Sequence, residues 1–218
     1  MASTQVFNDK EKRSITERAT LLLRGSEERS SVEKTANDLL LDISGSMGDP
    51  VGRGDQRSKT DGVKEAVTMF VSRMSPTAWL SIILFNGSAR LLWPMQPLED
   101  KGKVINEVQK IIADGSTNMA EGMMMALEQF KKAPKEFTKR LFVLSDGISG
   151  SNPMHAADLL KKAGARITSI GFGDDLGALD TTVLKAVAST SPSGNPEYYH
   201  FLDSANLTCF MENKTRVI

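Results

Sequence analysis

A run of apolar residues that stops at an acidic residue and two serines constrains the fold of this chain more than any other stretch. Residues 39–41 are consecutive leucines, which predict a short strand buried on both faces. Asp42, Ser44 and Ser46 follow at alternate positions, and Gly45 between the serines indicates a tight loop. We therefore expect one carboxylate and two hydroxyl groups at the carboxyl end of a central strand, where open α/β sheets bind their ligands.

Helical and strand patterns alternate along the rest of the chain. Apolar residues recur at helical spacing over residues 59–74, and residues 79–85 form a strongly apolar strand pattern. Asn86-Gly87 then predicts a hairpin, from which residues 89–95 return antiparallel along an edge of the sheet. Further strands are predicted at residues 141–144, 167–172 and 198–202. The alternation predicts a doubly wound α/β fold.

The remaining predicted helices are defined by their apolar stripes. One stripe consists of Val104, Ile105, Val108, Ile111 and Ile112. The next consists of Ala120, Met123, Met124, Leu127 and Phe130. A helix is also predicted to start at Asn152-Pro153, another to cover residues 179–189, and a last one to lie at the C terminus. At this spacing the methionines are expected to pack in the core.

The domain organisation follows from length and pattern. A chain of 218 residues with 40% hydrophobic residues is long enough for one domain with a full core. We predict an N-terminal extension over residues 1–36 and one α/β domain over residues 37–218. Within the extension, residues 9–24 carry a helical apolar stripe, and a strand over residues 20–23 is the alternative.

Charge and cysteine content limit the classes of partner and compartment. Lys plus Arg equals Asp plus Glu at 27 each, so no global field favours nucleic acid or an acidic membrane surface. Cys209 is the only cysteine, which excludes an internal disulfide and suits a reducing compartment. The first residues lack the apolar core of a secretory signal, and no later window is apolar enough to span a membrane. We expect a cytoplasmic protein.

Two further residues extend the group of oxygen donors. The predicted strand at residues 141–144 also ends at an acid, Asp146, and Thr117 immediately precedes a predicted helix. If the two acid-ending strands are neighbours whose helices leave to opposite faces, Asp42 and Asp146 flank a topological switch point. Each residue alone could serve a turn or a helix cap. Together they form an all-oxygen set, which favours Mg2+ first and Mn2+ or Ca2+ next.

At these residues the chain resembles the von Willebrand factor type A domains, a family that includes the inserted domains of integrins. The family's metal-ion-dependent adhesion site consists of an Asp-x-Ser-x-Ser loop after the first strand, a later Thr, and an Asp after the fourth strand. Residues 42–46, Thr117 and Asp146 fill these positions, and the resemblance covers residues 38–212. It implies a mostly parallel sheet of six strands with one antiparallel edge strand. It also implies Mg2+ held by the hydroxyls, with the two aspartates acting through water.

The resemblance implies a binding function and no enzymatic activity. In such domains an Asp or Glu of a partner protein completes the coordination of the metal, so the chain would act as an adaptor or complex-assembly protein. Surrounding loops would supply a rim, for which the candidates are Met47, Gly115, Ser116 and Gly147. Intracellular members of the family often work with AAA+ ATPases or with signalling proteins, which makes both candidate partner classes.

Two alternatives use the same residues. In a Mg2+-dependent phosphohydrolase Asp42 would be the nucleophile, but that arrangement needs a second acid two residues later, where this chain has Ser44. In an extracellular adhesion domain the metal site would be unchanged, but such a protein needs a secretion route.

Overall fold

A computed structural model describes residues 34–52, 54–147, 150–173 and 181–215. The helix or strand predicted within residues 9–24 lies outside these residues, and the predicted domain boundary after residue 36 stays a prediction. In the described part of the chain, none of the helices has both the length and the apolar character needed to cross a bilayer.

The strands form one large sheet and one small hairpin. The strands of the large sheet are β1 (Thr35–Asp42), β4 (Trp79–Phe85), β5 (Ala89–Pro97), β6 (Thr138–Ser145), β7 (Ala165–Phe172) and β8 (Tyr198–Phe201). The hairpin consists of β2 (Pro50–Gly52) and β3 (Asp55–Ser58).

The strand order of the six-stranded sheet is β5-β4-β1-β6-β7-β8. Every neighbouring pair is parallel except β4 and β5, so β5 is the antiparallel edge strand that was predicted. The chain runs outward from β1 through β4 to β5, and then outward on the other side from β6 through β7 to β8. The direction reverses between β1 and β6, which places a topological switch point at their carboxyl ends. The predicted fold class is confirmed.

The helices cover both faces of the sheet and define two cores. They are α1 (Lys59–Arg73), α2 (Lys101–Gln109), α3 (Met119–Phe130), α4 (Met154–Lys162), α5 (Thr181–Val187) and α6 (Ser204–Lys214). Apolar residues of α1, α2 and α6 pack on one face with Leu39 and Leu41 of β1. Apolar residues of α3, α4 and α5 pack on the other face with Leu40. The central strand is therefore buried on both sides, as the leucine run predicted.

Strand β1 begins earlier than its apolar run indicates. It starts at Thr35, and all eight of its residues are buried, including the polar residues Asn37 and Asp38. These side chains find partners inside the protein. Asn37 donates to Thr35 Oγ1 at 2.9 Å, and Ser81 Oγ of the neighbouring strand donates to Asp38 Oδ2 at 2.5 Å. Hydrogen bonding across the sheet thus permits polar residues in a fully covered strand.

Two predicted apolar stripes differ from the observed ones. Helix α3 buries Met123 and Phe130 as predicted, but Met124 is 39% exposed. Its buried face is centred on Gly122, where an added Cβ would lie only 2.6 Å from Leu40 Cδ1, so the missing side chain allows the helix to approach the sheet closely. Helix α2 ends at Gln109, and Ile112, predicted on its apolar stripe, is 75% exposed.

Candidate metal centre

The carboxylate of Asp42 is fixed at the end of β1 by two hydrogen bonds. Its Oδ1 accepts from the backbone N–H of Ser44 at 2.8 Å, and its Oδ2 accepts from the hydroxyl of Ser145 at 2.6 Å. The first bond closes the loop after β1, and the second joins β1 to the end of β6. Asp42 is only 2% exposed. Each oxygen of the Asp42 carboxylate therefore accepts one hydrogen bond, and the two bonds hold the group in one orientation.

A single 3-10 turn brings the two serines of this loop together. The turn covers Gly45–Gly48 and begins with a bond from Met47 N–H to the carbonyl of Ser44 at 2.9 Å. The Ser44 and Ser46 hydroxyl oxygens lie 3.3 Å apart. The Met47 side chain is fully buried in the core. This apolar anchor, together with a bond from the Thr60 hydroxyl to the Met47 carbonyl at 2.9 Å, holds the turn in place.

The loop that carries Thr117 is joined to the other two loops through its backbone. Gly45 N–H donates to the Gly115 carbonyl at 2.9 Å, which connects it to the serine loop. Gly150 N–H donates to the Thr117 carbonyl at 2.9 Å, which connects it to the segment after β6. Gly115 has a φ of 82°, a conformation that favours glycine. The three loops that carry the predicted site residues are therefore assembled at one edge of the sheet.

Asp146 is buried and its two oxygens have different surroundings. Its side chain is 1% exposed, and Oδ2 accepts from the ammonium group of Lys59 at 3.1 Å. Within the described residues, Oδ1 has no hydrogen-bond partner. Asp146 also lies close enough to Asp42 for its charge to act there. Burial raises the pKa of Asp42 to about 6, against the hydrogen bonds from Ser145 and Ser44, and repulsion from Asp146 contributes to the rise.

These features fit a hard divalent cation. A buried carboxylate oxygen that no described residue contacts by a hydrogen bond, two adjacent hydroxyl groups and a second carboxylate offer oxygen ligands and negative charge. Where the chain is described, no group of three or more His, Cys, Asp or Glu side chains could hold a metal ion. Serine and threonine hydroxyls must therefore contribute to any site here. The structure brings Asp42, Ser44, Ser46, Thr117 and Asp146 to one place, and their binding of a metal stays a prediction.

The four predicted rim residues differ in their exposure. Gly115 and Ser116 are exposed beside the site, and their contact with a partner stays a prediction. Met47 and Gly147 are buried, and their contact with a partner likewise stays a prediction. Met47 points into the core because the 3-10 turn folds it beneath the serines. Ile112, three residues before Gly115 in the sequence, is a large apolar residue that is 75% exposed.

Two residues of the site were missed by the sequence prediction. Ser145 follows the apolar run of β6 and precedes Asp146, so its position next to Asp42 depends on the register of β1 against β6, which the sequence does not encode locally. Lys59 is the first residue of α1 and looks like any charged residue at a helix start. The one sequence signal is that a lysine begins a helix, which is unusual because helix N-termini favour acidic residues over cations.

Comparison with known proteins identifies the fold and the family. The family model of the von Willebrand factor type A domain matches residues 39–213. An uncharacterised protein of Synechocystis sp. is 26% identical over 161 residues, which is 70% of this chain and 35% of that protein. The chain therefore spans about a third of the length of this curated relative.

Solved structures share the fold at low sequence identity. Proximal thread matrix protein 1 from the mussel byssus superposes with a TM-score of 0.69 and 18% identity, over 84% of this chain and 47% of that one. A second structure of that protein, with a zinc-occupied MIDAS motif, has a TM-score of 0.67 and 20% identity over 84% and 45%. A von Willebrand factor type A protein from Catenulispora acidiphila has a TM-score of 0.65 and 19% identity over 84% and 42%.

Proposed function

The chain belongs to the von Willebrand factor type A family, whose domains are commonly metal-dependent protein–protein interaction modules, and on that premise we propose that it captures an acidic residue of a partner protein. The observation that carries the proposal is the assembly of three loops at the switch point between β1 and β6. Those loops bring two carboxylates and three hydroxyl-bearing residues to one edge of the sheet.

We propose Mg2+ as the physiological ion, with Mn2+ or Ca2+ as alternatives. Ser44, Ser46 and Thr117 would hold it directly, while Asp42 and Asp146 would act through bound water. The all-oxygen donor set supports a hard cation. The zinc-occupied MIDAS of the mussel protein supports a divalent ion at this motif in the family. When bound, the ion supplies an electrophilic position that accepts a carboxylate oxygen.

The protein's own side chains account for selectivity toward an acidic partner. Ser44, Ser46 and Thr117 are neutral, so they leave positive charge on the ion uncompensated. Asp42 keeps its orientation through Ser44 N–H and Ser145, and it does not need to move when a partner binds. A partner carboxylate is the group that best completes such a coordination shell.

The rim of the site combines small polar and apolar surface. Gly115 and Ser116 are exposed, so a partner chain can approach closely between them. Ile112 precedes Gly115 by three residues in the chain, and it is 75% exposed and free to make an apolar contact. We therefore propose that the partner presents its acidic residue beside an apolar side chain, because burying Ile112 adds binding free energy that the carboxylate alone does not supply.

We propose that the domain is not an enzyme. Both carboxylate oxygens of Asp42 accept hydrogen bonds from the protein, which suits an orienting residue better than a nucleophile. Turnover of phosphoesters by the pure protein with Mg2+, lost in Asp42→Asn, would contradict this part of the proposal.

We further propose a cytoplasmic setting, with an AAA+ ATPase or a signalling protein as partner. One cysteine in 218 residues supports a reducing compartment, and that cysteine, Cys209, is free and exposed. The partner classes rest on family association. Fractionation of cells that express the full protein tests the compartment, and recovery outside the cytoplasmic fraction would contradict it.

The proposed binding mode is tested by affinity capture from the native cell extract. The full chain is immobilised, and the proteins that it captures in Mg2+ are compared with those that it captures in EDTA. The captured proteins are identified by mass spectrometry. We expect a partner that is retained with Mg2+, released by EDTA and lost in Ser44→Ala. Ser72→Ala is the matched control, because that hydroxyl is exposed on α1 and bonds only within its own helix turn. Equal capture of the same partner in EDTA contradicts the proposal.

A further inference from the structure

Lys59 places a buried positive charge inside the proposed metal site. Its ammonium nitrogen lies 3.1 Å from Asp146 Oδ2, and the two side chains are 7% and 1% exposed. The pair joins the start of α1 to the loop after β6. No other ion pair between described residues is buried on both sides to this degree.

Two physical costs oppose a lysine at this position. Removal of an ammonium group from water is unfavourable unless a carboxylate pairs with it. Lys59 is also the first residue of α1, directly after the cap Ser58, where the partial positive charge of the helix end repels a cation. Among the described residues, Asp146 is the acid that pairs with Lys59 and offsets both costs, so this pairing links the lysine to the proposed metal site.

The backbone around the lysine leaves room for its stem. Gly173 has a φ of 128°, and a Cβ added there would lie 2.8 Å from Lys59 Cε. Gly173 is itself held by a hydrogen bond from its N–H to the Phe201 carbonyl at 3.1 Å, and its carbonyl lies 2.7 Å from His200 Nε2. The lysine stem therefore lies against a fixed piece of backbone that directs its ammonium group toward Asp146.

We propose that Lys59 is a tethered cation that competes with the divalent ion for Asp146. In the metal-free protein its ammonium group neutralises one of the two buried carboxylates and holds the loop after β6 to the start of α1. A divalent ion held near Asp146 would share the negative charge of this carboxylate with the ammonium group, and the ammonium group would repel the ion. Lys59 therefore stabilises the metal-free protein and weakens its affinity for metal. The inference rests on the proposed metal site and adds a regulator to it.

The test compares metal affinity and metal-free stability in three full-length proteins. Mn2+ is titrated calorimetrically into wild type, Lys59→Met and Lys64→Met. Lys64 is the matched control, because it lies on the same helix and pairs at 3.4 Å with Asp61, whose side chain is 58% exposed. We expect Lys59→Met to bind Mn2+ about tenfold or more tightly than wild type, since removal of a nearby like charge favours the ion. Lys64→Met is expected to match wild type.

Thermal unfolding in EDTA supplies a second readout that does not depend on metal. We expect Lys59→Met to melt at a lower temperature than wild type in EDTA, because Asp146 loses its counter-charge, and to recover most of the difference in saturating Mn2+. Lys59→Gln serves if Lys59→Met does not fold, since its amide can still donate to Asp146 without carrying charge. The same gain in Mn2+ affinity is expected for it.

The outcomes separate this inference from the proposed function. If wild type binds Mn2+ and the Lys59 variants bind it equally or more weakly, the proposed competition between Lys59 and the ion is wrong. The proposed metal site is not contradicted by that result. If neither wild type nor the Lys59 variants bind Mn2+ or Mg2+, the metal site is wrong and the inference is wrong with it.

Discussion

Asp38 and Asp42 are two buried acids on the same face of the same strand, and their surroundings differ sharply. Asp38 lies in the middle of β1, and in the described part of the chain its one hydrogen-bond partner is the hydroxyl of Ser81. Asp42 lies at the end of β1, accepts a bond on each oxygen and faces a second carboxylate, Asp146. Burial raises the pKa of both, to about 7 for Asp38 and about 6 for Asp42.

The comparison teaches that burial and a raised pKa do not by themselves mark a binding site. Asp38 is enclosed by the sheet and the helices above it, so no ligand can reach it without opening the core. Asp42 lies where three loops meet and where solvent and partners have access through Ser46 and Thr117, which are partly exposed. The convergence of several donors at a strand end separates a candidate site from a structural acid.

The largest expected effect comes from Asp38→Asn and concerns stability against pH. The pKa of Asp38 is raised from 3.8 to about 7, so the folded protein holds this proton more tightly than the unfolded chain. Its contribution to stability is therefore complete below about pH 4 and is lost as pH rises through about 7. In the Asn variant the fall in unfolding free energy between pH 4 and 8 should shrink by on the order of 4 kcal/mol.

Urea unfolding of both proteins across this pH range measures the effect. Asp42 and the other titrating groups are common to the two proteins, so the difference between the curves isolates Asp38. Parallel curves for wild type and variant would show that Asp38 does not hold its proton in the fold.

The next effect is the loss of metal affinity in Asp42→Ala. Loss of a carboxylate that orients metal-bound water typically weakens binding by about 10- to 100-fold. Calorimetric titration with Mg2+ or Mn2+ measures it, and Asp38→Asn is the matched control because it removes a buried acid four residues away on the same strand. If Asp38→Asn lowers affinity as much as Asp42→Ala does, the distinction between the two acids fails.

The smallest effect is expected for Ser81→Ala. This change removes the hydroxyl that donates to Asp38 Oδ2 at 2.5 Å and leaves that oxygen in the core without its donor. We expect a loss of unfolding free energy of about 1 kcal/mol with unchanged metal affinity. Chemical denaturation and metal titration of the same sample measure both. A change in metal affinity would mean that the two acids are coupled through the strand.

Much of the fold could be predicted because apolar periodicity reports burial directly. Strand β4 occupies the predicted residues, Trp79–Phe85, and the Asn-Gly pair after it does lead to the antiparallel edge strand. Strand β1 was predicted too short because Asn37 and Asp38 are polar. Their burial depends on hydrogen bonds to Thr35 and Ser81, and the bond to Ser81 crosses between strands far apart in the sequence.

The candidate site was predictable in its residue types but not in its surroundings. The motif around Asp42 and the acid after β6 can be recognised in the sequence because each follows an apolar strand pattern. The structure places both at the switch point. Lys59 was missed because its ion pair with Asp146 joins residues 87 positions apart. Ile112 was misassigned because helix α2 ends at Gln109, and no glycine or proline near that point indicates the end.

The buried lysine also sets the sign of the local electric field. With both aspartates ionised, Asp42, Asp146 and Lys59 together carry one unit of negative charge, and a divalent ion would reverse this to one unit of positive charge. Without the lysine the loaded pocket would be neutral. The metal-free pocket would therefore repel an approaching acidic protein, and the pocket with a bound divalent ion would attract it. With the lysine present, a change in ion concentration would thus switch the long-range attraction on and off.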